Sequence, residues 1–556
     1  VFEGARIDSF EAEIVGSIST GRVSGTMILA RATSDRVVKS GVAAGMSGSP
    51  VYVGGRLIGA LSSGWSFSRE PLFGITPIGE MLEVAARADS PDPKTSAGPG
   101  GLDLSPRERG LSCGPFRWEG DEAASRPETP SSGFSRLPLP LSGGLRPELL
   151  ASLSSEFRSA GFKLTPGGQA APGTAPVTLE PGSAVAVDVL RGDLQLSAIG
   201  TVTWRDGNRV LIFGHPFFQA GDVRLPLSTA LITTIVASEE NSFKLGVRGV
   251  EVGVATQDRR PAVAGTLGPT APMMPIAVEV SSGSGAPQRY RFESVQDRAL
   301  APLLLGAATQ NSVLESGGAS PSQMVRWTLE IFRRGATPLV MHDALAGDAA
   351  IGDLGGAITS PVRFLLNNPF ERCVLDSIRV KVQVASGRGG LTLRSARVLQ
   401  GAVRPGQVAR VRCEVESWRG ERRNLDLELH VPEEAPDGGY VLWLGGGTEL
   451  TRYEAQRLPG RYRATSLDDA WRRFGRMRDS EAIYASLFAS APEVTRNGAD
   501  YPELPLSALA VMVSGQTAGD PVRRGDTAIL DSVRVPVQEA LRGELLLTLN
   551  VDRKAP

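Results

Sequence analysis

The segment Gly45-Met-Ser-Gly-Ser-Pro50 constrains this chain most. Two glycines bracket Ser47, so the backbone can turn sharply and a neighbour can approach closely. Val51-Tyr-Val53 and Arg56-Leu-Ile-Gly-Ala-Leu61 follow, two short apolar runs on either side of Gly54-Gly55. That pattern predicts a β-hairpin. A tight turn feeding a hairpin commits this part of the chain to antiparallel sheet, and it holds a small hydroxyl at a defined point.

A serine hydroxyl is a poor nucleophile until a neighbouring base accepts its proton. The usual base is histidine, and the chain has three. His430 lies in an alternating run and reads as a partly exposed strand residue. His342, in Val340-Met-His-Asp343, reads as a loop or strand-end residue. His215 stands in Phe213-Gly-His-Pro-Phe217, at the end of an apolar strand and between a glycine and a proline. An imidazole there is held rigidly, which makes His215 the candidate base for Ser47. A nucleophile elbow needs Gly-x-Ser-x-Gly between a strand and a helix. Here Ser49 takes the fifth position and a hairpin follows, so that architecture is set aside. The plain alternative is a tight turn in a β-domain with no chemistry.

At 556 residues the chain exceeds a single hydrophobic core, and three or four domains are expected. Its 65 glycines and 39 prolines, with 6% aromatics, suit many short strands and turns. Residues 1–87 form a first unit, with strands at 10–15 and 26–30, the serine turn, its hairpin and a helix at 78–86. Residues 88–176 are rich in Pro, Gly and Ser and read as a linker that ends in a short helix at 149–159. Residues 177–318 carry strands at 184–190, 197–204 and 209–213, a hairpin turn at Asp206-Gly207-Asn208 and a closing helix at 301–315. Residues 319–460 alternate at 377–384 and 424–430, which predicts a β-sandwich with one wet face. Residues 461–556 read as a helix over 466–489, opened by the capping-box-like Ser466-Leu-Asp-Asp469, and a closing β segment. Residues 529–538 repeat seven of the ten residues of 374–383, a short echo of one strand type.

The 59 basic and 60 acidic residues leave a net charge of −1, which leaves no nucleic-acid footprint and no polybasic membrane patch. No apolar stretch approaches the ~18 residues of a membrane span. Cys113, Cys373 and Cys413 are far apart and form no CxxC pair, so neither a metal site nor a cofactor is expected. Cys373 and Cys413 both lie in strand-like sequence and are close enough in type to pair, but buried free thiols are the expectation. The chain begins at Val1 rather than Met, which fits an export segment already removed.

Together these segments resemble a known family. Residues 6–87 are similar to the serine-bearing part of the SpoIVB-type serine peptidases. The similarity runs through 8–15, Met27-Ile-Leu29, Gly45-Met-Ser-Gly-Ser-Pro50, Gly55-Arg-Leu-Ile-Gly-Ala60 and Phe73-Gly-Ile-Thr-Pro-Ile78. Residues 197–283 resemble the family's histidine-bearing part through Ile199-Gly-Thr-Val-Thr203, Gly214-His215, Ala264-Gly-Thr-Leu267 and Pro275-Ile-Ala-Val-Glu-Val280. The two segments cover about a third of the chain. The resemblance implies a mainly β serine endopeptidase whose trypsin-like double β-barrel is built from two separated segments. Ser47 would be the nucleophile, His215 the general base, and the N–H groups of Gly45 and Ser47 the oxyanion hole. The partner would be a protein or peptide substrate, or the chain itself, and the location secreted, periplasmic or cell-envelope associated.

Two departures stand out. The family places its histidine part before its serine part, whereas here Ser47 comes first, so the halves are permuted; a triad tolerates any chain order. The family's aspartate aligns with Thr33, with Asp35 two residues on and Asp222 seven after His215 as substitutes. The competing expectation is a catalytically weak or inactive protease-like scaffold that binds rather than cleaves.

Overall fold

Antiparallel sheet dominates the chain, and its strands form where β-branched, aromatic and small apolar residues alternate or run together. The computed structural model describes residues 1–19, 26–65, 68, 70–88, 117–118, 134–167, 178–239, 242–283, 285–317, 323–386, 389–457, 462–490, 493–496, 499–502, 505–514, 523–525 and 527–556. Cys113 and most of the expected 88–176 linker lie outside them. The fold is mainly β. No helix among the described residues is long and apolar enough to cross a membrane.

The chain divides into two units. The first comprises Val1–Glu108, Ala124–Ile276 and Arg291–Asn311. It holds the serine segment and the histidine segment together, so neither 87 nor 176 is a boundary between units. The serine segment is an antiparallel sheet in the order Ala12–Ser19, Thr26–Ala32, Leu72–Pro77, Arg56–Trp65, Pro50–Val53. Phe2, Ala30, Val37, Met46, Leu61, Phe73 and Ile75 fill its core. Burying each large side chain there contributes about 1.5–3 kcal/mol. The helix Ile78–Ala88 follows directly and packs Met81, Val84 and Ala85 against Leu211, Ala262 and Ala264.

In the histidine segment the strand pairing runs full circle. Ala184–Gly192 pairs with Gly221–Val236, that strand with Phe243–Arg259, then Ala262–Leu267, Arg209–Ile212 and Leu196–Asp206, which pairs back to Ala184–Gly192. All six contacts are antiparallel. Ala184, Ala186, Ile199, Ala230 and Ile232 form a small buried core together with Val1. Part of the expected linker is ordered sheet: Leu139–Gly143 is buried throughout and pairs with Leu196–Asp206, and Phe162–Pro166 pairs with it in parallel. The prolines there misled the reading, because Pro140 occupies a strand position next to the last paired strand.

The second unit comprises Arg109–Ala123, Ala277–Tyr290 and Ser312–Pro556. Gln323–Phe332 pairs with Leu339–Gly347 and Ser377–Ser386, and the helices Ala350–Leu366 and Leu467–Phe474 lie on that sheet. Two further sheets share one core, built from Val411, Cys413, Leu427, Leu442, Ala485 and Leu549 among others. Against the sandwich expected over 319–460, these two sheets draw strands from both sides of residue 460. The expected helix over 466–489 is corrected. Ser466 Oγ accepts from Asp469 N–H as the capping pattern implied, yet the helix spans Leu467–Phe474 and stops at Gly475. Ala482–Ala489 is instead a strand with nearly every side chain buried, and such an unbroken apolar run has no period to separate it from a helix. His342 sits within the strand Leu339–Gly347 rather than in a loop, and His430 is an exposed strand end. Cys413 is buried in a strand and Cys373 lies in a loop; both are free thiols.

Candidate active site

The serine turn is fastened at four points. Met46 N–H donates to Ala43 O at 2.9 Å, Gly48 N–H to Leu61 O at 2.8 Å, Ser49 N–H to Met46 O at 2.9 Å, and Leu61 N–H to Ser49 O at 3.0 Å. The amides therefore alternate: those of Met46 and Gly48 are engaged, while those of Gly45 and Ser47 have no hydrogen-bond partner among the described residues. Gly45 and Gly48 adopt φ of +92° and +91°, a region that excludes ordinary side chains at such a turn. Met46 plugs the apolar core of the serine sheet. Ser47 is fully buried, and its Oγ has no hydrogen-bond partner among the described residues.

His215 is placed by an equally unusual turn. After Arg209–Ile212, Phe213 and Gly214 take φ of +70° and +66° in succession. A non-glycine residue in this region costs on the order of 1–2 kcal/mol, so surrounding packing must hold it. Phe213 is fully buried and lies against Gly200, where a Cβ would come within 1.9 Å of the ring. Its ring stacks with those of His215 and Phe217, at centroid distances of 6.1 and 5.7 Å. His215 Nδ1 lies 2.8 Å from Pro216 O. A carbonyl can only accept, so Nδ1 carries a proton, and in the neutral imidazole that leaves the lone pair on Nε2, the tautomer a general base needs.

The loop beyond His215 is gathered by one carboxylate. Asp258 accepts from the N–H groups of Phe217, Phe218 and Ala220 at 2.7, 2.6 and 3.2 Å. It is wholly buried; burial raises its pKa, and the three amide hydrogens pull the other way. A cleft of about 450 Å³ opens beside this loop, lined by Gln219, Gly221, Asp258, Arg259, Glu80 and Arg87.

Leu196–Asp206 joins the two turns. Thr201 N–H donates to Ser47 O at 2.9 Å, Thr201 Oγ1 to Gly45 O at 3.1 Å, and Thr203 Oγ1 to Gly48 O at 2.7 Å. Gly48 is so close that a Cβ would lie 2.5 Å from Phe213 N. From the serine sheet, Thr76 Oγ1 donates to Gly214 O at 2.7 Å. The structure thus brings the Ser47 turn against the strand and turn that carry His215, although Ser47 Oγ and His215 form no hydrogen bond with each other.

Neither candidate acid is hydrogen-bonded to His215. Asp35 is exposed in the first turn of Asp35–Ser40 and has no hydrogen bond to the imidazole. Asp222 pairs with Arg259 at 2.9 Å. Four residues that matter here escaped the sequence reading. Thr201 and Thr203 had a signal, two hydroxyls on one face of an apolar strand. Lys244, buried against Gly45, also had one, since lysine is scarce in this chain. Asp258 had none, because its partners are 38–41 residues away. No group of three or more His, Cys, Asp or Glu side chains among the described residues is arranged to hold a metal. Compared with known proteins, the chain matches no family model, no curated protein and no solved structure.

Proposed function

We propose that this chain is a serine endopeptidase of the SpoIVB type, with Ser47 as nucleophile and His215 as general base. One observation carries the reading: among the described residues the Gly45 and Ser47 amides stand unpaired in the turn that holds the serine, while the amides between and after them are engaged. Two unpaired backbone donors beside a hydroxyl are what an oxyanion requires. In the first step Ser47 Oγ attacks the scissile carbonyl carbon as His215 Nε2 takes the hydroxyl proton. The carbonyl oxygen gains the negative charge and accepts from the two amides. The proton on Nε2 then passes to the departing amine, and water repeats the sequence on the acyl-enzyme. The Pro216 carbonyl fills the orienting role usually given to an aspartate, without its charge. The reading includes a trypsin-like two-barrel frame with permuted halves; the closed six-strand ring of the histidine segment supports it, and the serine sheet supplies the other half.

A second reading, a binding scaffold on the same frame, draws on one fact. Ser47 is fully covered and is not hydrogen-bonded to His215, so a substrate reaches it only if its cover moves. A fluorophosphonate probe separates the two. Labelling at Ser47 is expected in the wild-type chain, absent in Ser47→Ala and slowed at least about a thousandfold in His215→Ala, with melting temperatures preserved. Labelling that survives Ser47→Ala, or a wild-type chain that is never labelled, sinks the peptidase reading.

A further inference from the structure

Six of the chain's 59 basic residues are lysine; the rest are arginine. One of the six, Lys244, is 1% exposed. The choice has chemical meaning, because a buried lysine can release its proton and an arginine cannot. The Lys244 backbone N–H donates to Ala44 O at 2.9 Å, and its methylenes line Gly45, where a Cβ would meet them at 3.2–3.3 Å. Its Nζ donates to Thr201 Oγ1 at 3.2 Å, and that hydroxyl gives its own proton to Gly45 O. Two hydrogen bonds therefore link the amine to the peptide on one side of Ser47, while the Phe213–His215 turn meets Gly48 on the other.

We propose that Lys244 is the ionisable positioning group of the serine turn: through Thr201 it fixes the Gly45 carbonyl, and in its ammonium form it adds positive charge beside the amides of Gly45 and Ser47. The inference rests on the peptidase reading above and adds to it a group that senses pH.

Few charges face this amine. Burial is what lowers its pKa, to about 7, and no carboxylate among the described residues offsets it. The serine turn brings no ionisable side chain, and Leu139–Gly143 faces Gly45 with Pro140. Gly221–Val236 pairs Ile235 with it, and Leu196–Asp206 offers Thr201. Lys163 of Phe162–Pro166 lies over the neighbouring Phe243 ring, 4.7 Å from its centroid.

The sign follows. Ammonium is present below about pH 7 and lost above it, so its help to an oxyanion fades as pH rises. Fluorophosphonate labelling of Ser47 is expected to fall on the alkaline side in the wild-type chain. Lys244→Met should lower labelling about tenfold at pH 6.5 and by a smaller factor at pH 9, flattening that limb. An independent readout needs no activity. Between pH 7 and 10 the unfolded lysine holds a proton that the folded one has released, so Lys244 makes the wild-type melting temperature rise with pH. Lys244→Met should lack that component.

If Lys244→Met does not fold, Thr201→Val serves: losing its hydrogen bond to that hydroxyl, the amine is held less well as ammonium, and the alkaline limb should move to lower pH. An unmoved limb there, or a Lys244→Met rate reduced by the same factor at every pH, overturns the proposal and leaves the peptidase reading standing. No wild-type labelling at any pH overturns both.

Discussion

Gly48→Ala is expected to destabilise the first unit by about 3–5 kcal/mol and to unseat the serine turn. A Cβ at this position would lie 2.1 Å from Thr201 O and 2.5 Å from Phe213 N. Both obstacles are backbone atoms in paired or sharply turned chain, so neither can swing aside as a side chain would. The φ of +91° adds a steric cost of about 1–2 kcal/mol. Pushing the turn away also breaks the bonds from Thr201 N–H to Ser47 O and from Thr203 Oγ1 to Gly48 O, each worth about 1 kcal/mol. Gly54→Ala is the matched control. Its φ is +56°, yet nothing lies within 4 Å of the added carbon, so it should cost about 1 kcal/mol. Urea unfolding of the two variants, with amide exchange at Thr201, makes the comparison. If Gly48→Ala is no worse than Gly54→Ala, and the Thr201 amide stays protected, the turn is not seated as described.

Asp258→Ala should have the second-largest effect, on both stability and the candidate chemistry. Removing the carboxylate strands the buried N–H groups of Phe217 and Phe218 and the half-buried one of Ala220, at about 1–3 kcal/mol for each buried group, so a total loss of roughly 3 kcal/mol or more is expected. These donors belong to the loop that begins at His215. Releasing the loop lets the imidazole drift, and a shift of ~1 Å in a reacting group can cost about a hundredfold in rate. Ser47 labelling should drop accordingly. Asp222→Ala should do far less. Its pair with Arg259 is partly exposed on both sides, where such pairs contribute about 0–1 kcal/mol. A labelling rate untouched by Asp258→Ala would show that His215 is held by its own turn alone.

Much of the frame was legible from local pattern. The 45–61 turn and hairpin, the helix after Pro77 and the strands around Asp206-Gly207-Asn208 form where alternation, glycine and turn chemistry put them. Local pattern failed where burial removes periodicity. Ala482–Ala489 is apolar on both faces and reads equally well as helix. Leu139–Gly143 contains a proline and sits among prolines, so its burial is visible only in three dimensions. At the site, Ser47 and His215 stand out because glycine marks both turns. What holds them does not stand out. Asp258 has no sequence cue, since a single aspartate near the end of a long strand resembles any surface residue until three amides are found pointing at it. The ring nitrogen of His215 meets the carbonyl of its own neighbour Pro216, a contact that no side-chain pattern announces.

The hydrogen bonds that seat the serine turn also set an order of assembly. Thr201 and Thr203 follow the carbonyls they hold by 156 and 155 residues. Contacts so remote in sequence form late, after the intervening chain has been made and collapsed. During synthesis from the N-terminus, the turn leaves the ribosome with nothing to dock on until the 196–206 strand has been translated and its ring has closed. A growing chain therefore carries this turn undocked, and any fragment cut short before that strand leaves it so.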